Sequence, residues 1–453
     1  MNTRRTMTCR ALRRLTRARA ERAGRGAAAG GVAMSRGRAT DRDDHRSVSR
    51  PRLRRGRVAP RPRLVERGGV PGAGRPVRTA RPPGARHRRP VRADRTPYDR
   101  RPAAQEEGRP VSRPLTDQHS DTAAPEPLVD RFGRVHTDLR LSLTDRCNLR
   151  CTYCMPAEGL AWLPKDELLS DDEIVRLVGI ATGRLGITEV RLTGGEPLVR
   201  RGLPGLIARL SALPKAPELS ITTNGIGLAR TAVALREAGL GRVNVSLDTL
   251  RPERFAAITR RDRLTDVLEG LRAARAAGLD PVKVNAVPVR GVNDDEIADL
   301  TAFAVENGYR MRFIESMPLD AQGAWEREKM VTAAEILDRI GERFTLTPVP
   351  REDNAPAEEW RIDGTDSRVG VIASVTRPFC GNCDRVRLTA DGQLRNCLFA
   401  TKESDLRALL RAGADDDALE AAWRSCIAVK GPGHAINSED FRRPDRPMSA
   451  IGG

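Results

Sequence analysis

Six short β-branched runs alternate with longer amphipathic segments between residues 138 and 315, and this rhythm constrains the fold more than any other feature. The candidate strands are residues 139–144, 189–193, 218–222, 242–247, 282–288 and 310–315. Helical periodicity marks residues 170–186, 229–240, 264–279 and 293–308, and Ser170 and Glu173 give the first of these a capping box. Strands that alternate with helices form parallel βα units with right-handed crossovers. We therefore expect an α/β fold, a full or partial barrel, with its chemistry at the carboxyl ends of the strands.

The rhythm is lost after about residue 335, which predicts a separate C-terminal segment. Residues 349–364 have the composition of a loop, and residues 368–375 are a candidate strand. We divide the chain into residues 1–126, a partial barrel at 127–335 and a C-terminal extension at 336–453.

The first quarter of the chain carries its basic charge. Residues 1–126 hold 33 Arg, no Lys and 12 Asp or Glu, a net of +21, which leaves a net of −2 for the remainder of a chain whose total is +19. The segment is rich in Arg, Pro, Ala and Gly without strand or helix periodicity, so we expect it to be disordered. Three interpretations stay open: an over-extended start with translation beginning near Val111, a non-catalytic tail that binds nucleic acid, or a transit peptide.

Cysteine spacing indicates metal rather than disulfides. Six of the eight cysteines form two triplets, while Cys9 and Cys426 stand alone, and we expect Cys426 to be a buried, inert thiol. No run of 18 apolar residues and no signal-peptide core is present, so we expect a cytoplasmic protein that does not bind membranes.

The first triplet lies in "TDRCNLRCTYCMP", directly after the first candidate strand. Cys147, Cys151 and Cys154 have the spacing C-x3-C-x2-C with no histidine nearby. Three ligands leave one coordination position free, which suits an iron–sulfur cube with one exposed iron. A zinc knuckle or three buried small side chains are the alternatives.

This triplet, with Tyr153 before its last cysteine, resembles the radical S-adenosylmethionine (radical SAM) superfamily. The resemblance implies that the three cysteines ligate a [4Fe–4S] cluster whose fourth iron binds S-adenosylmethionine. One electron then yields a 5′-deoxyadenosyl radical. "TGGEP" (193–197), behind the second strand, matches the superfamily motif that contacts the methionine end of the cofactor.

The second triplet is Cys380, Cys383 and Cys397, with the spacing C-x2-C-x13-C. Half of a zinc ribbon with a distant fourth ligand such as His434 is one interpretation. Arg385 and Arg387 follow on one face of a strand, and a basic pair beside a metal site suits a phosphorylated substrate.

The whole combination resembles the GTP 3′,8-cyclase (MoaA) family of molybdenum cofactor biosynthesis, from about Asp130 to Gly453. The shared motifs are "RLTGGEPLVR", "TTNG", "VNVSLDTL", "KVNAV", "RFIESMP", "FCGNCDRVRLTADGQLRNCLF" and the terminal Gly-Gly. The fold this implies is a partial (β/α)6 TIM-like barrel of the radical SAM type with a C-terminal cluster-binding extension. Residues 1–126 have no counterpart in the family core.

The resemblance also assigns site residues one position at a time. It implies a second [4Fe–4S] cluster on Cys380, Cys383 and Cys397, with an open iron facing guanine, and we expect the two clusters to face each other across one barrel mouth. Glu189 stands where some relatives carry a lysine, so it is assigned no GTP contact. The S-adenosylmethionine contacts are Tyr153, Gly195, Ser246 and Met317; the GTP contacts are Arg140, Arg191, Thr222, Lys283, Arg385, Val386 and Arg387; the catalytic residues are Arg385, Arg387, Gly452 and Gly453.

The implied reaction begins with hydrogen abstraction from C3′ of GTP, followed by attack of the carbon radical on C8 and reduction to 3′,8-cyclo-7,8-dihydro-GTP. The implied partners are GTP, an external electron donor, a downstream cyclic pyranopterin monophosphate synthase and a second copy in a homodimer, with no nucleic acid or membrane. Two alternatives remain: another radical SAM enzyme with an auxiliary cluster, such as a peptide modifier, and a non-catalytic protein that binds zinc or nucleic acid.

Overall fold

Strands and helices alternate from Asp138 to Ile314 in the computed structural model, which describes residues 125–351 and 354–452. All six predicted strands are present: β1 (Asp138–Ser142), β2 (Glu189–Thr193), β3 (Glu218–Thr223), β4 (Arg242–Ser246), β5 (Val282–Ala286) and β6 (Arg310–Ile314). The helices of this part are α1 (Asp171–Gly183), α2 (Leu203–Ser211), α3 (Leu228–Glu237), α4 (Pro252–Thr259), α5 (Leu264–Ala276) and α6 (Ile297–Asn307). Helices α2 and α4 were not predicted, because each is too short to show a clear period and has a proline in its first turn.

The C-terminal segment contributes strands to the same sheet. Its elements are α7 (Ala333–Gly341), β7 (Leu346–Val349), β8 (Glu358–Ile362), β9 (Arg368–Ile372), β10 (Arg385–Leu388), β11 (Gln393–Arg395), β12 (Ser404–Asp405), α8 (Leu406–Arg411), α9 (Asp416–Ala428) and α10 (Met448–Ile451). The prediction of a loop over 349–364 was wrong for β8, which pairs antiparallel with both β7 and β9. Cross-strand partners therefore override the loop-like composition of this segment.

The sheet is open. Its strand order is β12-β11-β10-β1-β2-β3-β4-β5-β6-β9-β8-β7, and β1 to β6 run parallel in chain order. No hydrogen bonds join β12 to β7, so the sheet does not close on itself. The predicted partial barrel of six βα units is confirmed, and C-terminal strands extend its sheet at both edges. The described residues lie within one compact unit, and the predicted division at residue 335 stays a prediction.

The two faces of the parallel strands differ in chemistry. Side chains alternate across a strand, so Leu139 and Leu141 of β1 face the opposite way from Arg140 and Ser142. Leu139 and Leu141 are fully buried in the apolar core with α1 and α2. The same alternation in the neighbouring strands leaves a polar, charged face on the sheet, and the candidate site lies on it.

Helix termini follow the local sequence signals. The capping box of α1 is confirmed, because Ser170 accepts from the Glu173 N–H and Glu173 accepts from the Ser170 N–H at 2.7 Å. The helix ends three residues before the predicted Gly186, which has a φ of 75°. None of the helices in the described ranges is both long and apolar enough to cross a bilayer.

Candidate active site

The first cysteine triplet lies beyond the carboxyl end of β1. Cys147, Cys151 and Cys154 are free thiols, all partly buried. They line one cavity of about 230 Å³, together with Gly195 and Thr222. The structure therefore brings together the three thiols and the ends of β2 and β3, as the strand pattern predicted.

The glycine motif after β2 packs against this cysteine loop. Gly195 donates its N–H to the Thr144 carbonyl at 2.7 Å, and the next residue, Glu196, donates to the Arg146 carbonyl at 2.7 Å. A Cβ on Gly195 would overlap the carbonyl oxygens of Asp145 and Arg146. Glycine is thus required for contact between two loops, a reason that sequence analysis did not identify.

Glu196 joins the glycine motif to "TTNG" after β3. Its buried carboxylate accepts from Thr223 Oγ1 at 2.6 Å and from the Asn224 N–H at 2.7 Å. Burial raises the pKa of Glu196 to about 7 despite these hydrogen bonds. Glu196 was not predicted as a site residue, although it is the only acidic residue of "TGGEP".

Tyr153 connects the cysteine loop to β4 and β5. Its hydroxyl donates to Asp248 Oδ2 at 2.5 Å, and the Val287 N–H donates to Asp248 Oδ1 at 2.9 Å. Burial raises the pKa of both Tyr153 and Asp248. Tyr153 and Met317 line both the cysteine cavity and an adjoining apolar cavity of about 230 Å³ that ends at Trp325.

The cysteine cavity has unsatisfied polar groups as well as free thiols. Asn285 Oδ1 and Ser449 Oγ are buried in it without a hydrogen-bond partner among the described residues. Ser246, at the end of β4, also lines it. A ligand with amino and hydroxyl groups would satisfy these atoms, so the residues present fit S-adenosylmethionine bound beside a three-cysteine cluster.

A larger cavity, of about 470 Å³, lies at the amino ends of the same strands. Nine Lys or Arg residues and four Asp or Glu residues line it. The predicted Arg140, Arg191, Lys283 and Arg385 are among the nine. The five that sequence analysis missed are Arg242, Arg310, Arg312, Arg351 and Arg368.

Strand pairing explains why this cationic cavity is so densely charged. Arg140 lies opposite Arg191 on β2 and opposite Arg387 on β10. Lys283 lies opposite Arg310 on β6. Burial, helped by Arg312 and Arg242, lowers the pKa of Lys283 to about 7. Like charges this close favour a bound polyanion.

All four carboxylates of this cavity have cationic partners, and Glu359 and Asp384 lie 3.4 Å from Arg368 and 3.3 Å from Arg385. Asp138 pairs with Arg140 at 2.7 Å. Burial acts to raise the pKa of Asp138, but the charges of Arg140 and Arg191 outweigh it and lower the pKa to about 2. Glu189 pairs with Arg242 at 2.6 Å. The side chain of Glu189 therefore holds an arginine of the cavity.

The C-terminal tail enters between the two cavities. Arg387 donates to the Gly452 carbonyl, and burial lowers the pKa of Arg387 to about 9. A Cβ on Gly452 would lie 2.8 Å from Thr193 Cγ2 and 3.2 Å from Ser142 Cβ. Gly452 thus lies against the ends of β1 and β2, whereas Gly453 lies outside the described residues.

Val386 is placed differently from its neighbours. Its side chain is fully buried in the apolar core and pairs in register with Leu139. Arg385 and Arg387 point to the opposite, polar face of β10. The predicted GTP contact of Val386 would therefore have to use its main chain.

The second triplet lies at the other end of the sheet from the first. Asp138 of β1 is opposite Arg385 of the parallel β10, so Cys380 and Cys383 precede the amino end of that strand. Cys397 follows β11, which runs antiparallel to β10 and returns to the same end. The expectation that both triplets share one barrel mouth was wrong, because the direction of β10 depends on a pairing that its sequence does not reveal.

The second set of thiols is also free and partly buried. Burial raises the pKa of Cys380, and the nearby Cys397 and Cys383 add to the increase. His434, the candidate zinc ligand, accepts from the Ile436 N–H at 3.2 Å through Nδ1, and its ring packs on Phe399. Within residues 125–351 and 354–452, no three His, Cys, Asp or Glu side chains are arranged to hold one metal ion.

Cys426 belongs to neither set. It is 7% exposed in the core, and burial raises the pKa of its thiol to about 11. The prediction of a buried thiol is confirmed. Cys9 lies outside the described residues.

Two family profiles match adjoining parts of the chain. The Radical SAM superfamily matches residues 141–304, and Molybdenum Cofactor Synthesis C matches residues 309–436. The first match includes Cys147, Cys151 and Cys154, and the second includes Cys380, Cys383 and Cys397.

Curated relatives match over nearly their whole length. A "GTP 3′,8-cyclase" from Streptomyces coelicolor is 63% identical over 328 residues, which cover 72% of this chain and 96% of the relative. A "GTP 3′,8-cyclase 2" from Mycobacterium tuberculosis H37Rv is 58% identical over 332 residues, covering 72% and 92%. The crystal structure of Streptococcus suis SuiB covers 65% of this chain and 69% of its own at 15% identity and a TM-score of 0.44, a likeness too remote to support an argument.

Proposed function

Because this chain belongs to the GTP 3′,8-cyclase family, we propose that it converts GTP to 3′,8-cyclo-7,8-dihydro-GTP, the first step of molybdenum cofactor biosynthesis. The observation that carries the proposal is 63% identity across 96% of the Streptomyces coelicolor relative. The chain is accordingly a radical SAM enzyme that uses a [4Fe–4S] cluster and S-adenosylmethionine.

We assign the first cluster to Cys147, Cys151 and Cys154. Tyr153, Gly195, Ser246 and Met317 all line the cavity that these thiols share, which supports their assignment to S-adenosylmethionine. When bound, the cluster and S-adenosylmethionine supply a 5′-deoxyadenosyl radical that removes the C3′ hydrogen of GTP. The surrounding loops hold the reacting groups in position and limit the access of water.

We assign the triphosphate of GTP to the cationic cavity. Arg140, Arg191 and Lys283 line it, and charge-assisted hydrogen bonds to phosphate are strong. Thr222 instead lines the cysteine cavity. It lies two residues further along β3 than Ser220, which is paired in register with Arg191. Two residues of strand span roughly 7 Å. GTP would thus extend between the cavities, with its ribose towards the first cluster and Arg387 and Gly452 beside it.

We assign a second [4Fe–4S] cluster to Cys380, Cys383 and Cys397, with the guanine on its open iron. Arg385 lines the cationic cavity two residues after Cys383, which supports a guanine site next to the triphosphate. Replacement of all three cysteines by alanine should lower the iron content from about eight to about four per chain. An unchanged iron content would contradict this assignment.

The remaining partners follow from the reaction. One electron and one proton must replace the hydrogen atom that GTP loses, so an external electron donor is required. We propose a cyclic pyranopterin monophosphate synthase as the enzyme that consumes the product. The homodimer, the absence of nucleic acid and the cytoplasmic location stay predictions.

The decisive experiment uses GTP carrying deuterium at C3′. The anaerobically reconstituted enzyme, given S-adenosylmethionine and dithionite, should transfer deuterium to 5′-deoxyadenosine and form an isomer of GTP with a new chromatographic retention time. The Cys147→Ala variant should form neither product. Formation of 5′-deoxyadenosine without deuterium, with GTP recovered unchanged, would contradict the proposal and favour a radical enzyme with another substrate.

A further inference from the structure

A lysine is buried beneath the second cysteine triplet. Lys430, two residues after the end of α9, is 3% exposed. Its Nζ lies 3.6 Å from Cys383 Sγ, 3.3 Å from the Cys383 carbonyl and 2.8 Å from the Arg385 carbonyl. The ammonium therefore contacts both the thiol of one predicted ligand and the backbone that carries it.

The fourth neighbour of Lys430 is an uncharged histidine. His136 Nε2 lies 2.8 Å from Nζ, and because an ammonium can only donate, Nε2 accepts. The other ring nitrogen, Nδ1, then carries the proton and faces the Leu128 carbonyl at 3.3 Å. Burial and the charge of Lys430 lower the pKa of His136 to about 4, so the imidazole brings no positive charge of its own.

No carboxylate is among the hydrogen-bond partners of Lys430 in the part of the chain that the structure describes. Asp130, which lies 3.8 Å from His136 Nε2, is engaged by Arg134 at 2.6 Å. Burial of an ammonium without a charged partner is costly. Among the described residues, the one hydrogen-bond partner of Lys430 that can become anionic is the sulfur of Cys383, which supports an anionic site there.

We propose that Lys430 is the charge partner of the second cysteine site, donating an N–H···S hydrogen bond to Cys383 and raising the reduction potential of the cluster bound there. The inference rests on the second cluster assigned under the proposed function. A fixed positive charge stabilises the reduced cluster more than the oxidised one, because reduction adds one negative charge. Hydrogen bonds to cluster sulfurs act in the same direction.

Lys430 is a positioning residue and not a catalytic one, since it reaches the cluster only through a ligand and its carbonyl. Arg134 has a similar role on the other side, donating to the Cys380 carbonyl at 2.7 Å and to the Gly431 carbonyl at 2.7 Å. Residues before β1 and after α9 thus enclose the site. The charge of Arg134 is compensated by its partner Asp130, whereas Lys430 has no carboxylate among its hydrogen-bond partners in the described residues.

The test measures the second cluster by itself. The full-length background carries Cys147→Ala, Cys151→Ala and Cys154→Ala, so that its EPR signal on reduction comes from the second cluster. Lys430→Met removes the charge while keeping an unbranched side chain, and Lys430→Arg keeps the charge. Lys402→Met is the matched control, because Lys402 is exposed and lies five residues after Cys397.

The measurement is a redox titration with dithionite, without GTP or S-adenosylmethionine. At a fixed potential, Lys430→Met should lower the ratio of reduced to oxidised cluster about tenfold. This change corresponds to a reduction potential lower by about 59 mV for one electron. Lys430→Arg and Lys402→Met should stay close to the background. An unchanged potential in Lys430→Met would overturn the inference while leaving the proposed function intact.

If Lys430→Met fails to assemble a cluster, the iron and sulfide content of the variants is compared instead of their reduction potentials. Loss of iron in Lys430→Met with retention in Lys430→Arg supports the charge role. Loss in both variants overturns it, because the charge alone would not suffice. A background that holds no cluster contradicts the second-cluster assignment, and this inference with it.

Discussion

At the scale of single residues, the site is organised by alternation along the strands. Every second residue of β1, β2, β5 and β6 faces the polar side, which collects Arg140, Arg191, Lys283 and Arg312 around one cavity. Two of these, Arg140 and Arg191, are direct register partners. The like charges repel one another in the free protein, so the cavity favours a polyanionic ligand such as the triphosphate proposed for it.

Lys283 gives the cavity a pH dependence. Its pKa of about 7 in the free protein should rise when a triphosphate binds, so binding takes up a proton above pH 7. GTP affinity is therefore greatest below about pH 7 and falls as the pH rises. Calorimetry at pH 8 in two buffers of different ionisation enthalpy should show uptake of about one proton. Lys283→Arg, which stays charged, should abolish the uptake, and its persistence there would contradict the assignment.

Gly452 has no room for a side chain in its present position. Its φ is 86°, and a Cβ would lie 2.8 Å from Thr193, so Gly452→Ala should displace the tail and lower turnover about 10- to 100-fold. Cluster content and melting temperature should stay unchanged. Gly205→Ala on α2, where a Cβ meets nothing within 4 Å, is the control. Full activity of Gly452→Ala would show that the tail tolerates a side chain there.

At the scale of elements, buried carboxylates tie the loops at the carboxyl ends of the strands. Glu315 follows β6 and accepts the N–H groups of Ala333 at the start of α7 and of Val375 and Thr376 after β9, at 2.7–2.8 Å. Glu196 joins the loops after β2 and β3 in the same way. These hydrogen bonds fix the loops that surround the cysteine cavity.

Glu315→Gln should therefore destabilise the sheet. The amide places an N–H group where the carboxylate accepted hydrogen bonds, which should lower the free energy of unfolding by about 2 kcal/mol and the melting temperature by several degrees. Anaerobic thermal melts of the apo and reconstituted protein measure the effect. Glu342→Gln, at the exposed end of α7, should leave the melting temperature unchanged. Equal melting temperatures for the two variants would contradict the role of Glu315.

At the scale of the whole molecule, the enzyme is contained in the part of the chain that relatives share. The 328 matched residues cover 96% of the Streptomyces coelicolor relative and only 72% of this chain. We expect the first quarter, with its net charge of +21, to lie outside the matched residues. The charge of the whole chain therefore says little about the charge of its site.

Removal of residues 1–124 should leave turnover and iron content unchanged, because Pro127 and Glu126, whose carbonyls accept from Arg424, are retained. The shorter chain should also lose the retention on a heparin column that the arginines give the full chain. Loss of turnover on truncation would contradict the view of this segment as dispensable.

The sequence alone determined the parts that depend on short stretches of chain. Strand and helix periods predicted β1 to β6, and cysteine spacing identified both triplets, because these signals span only a few residues. The tertiary structure decided what depends on distant pairings. The parallel pairing of β10 with β1 places the triplets at opposite ends of the sheet, Arg312 joins the cationic cavity through the register of β5 and β6, and Lys430 meets Cys383 across 47 residues. Hydrogen bonds and packing between remote segments set these positions, and no local pattern in either partner specifies them.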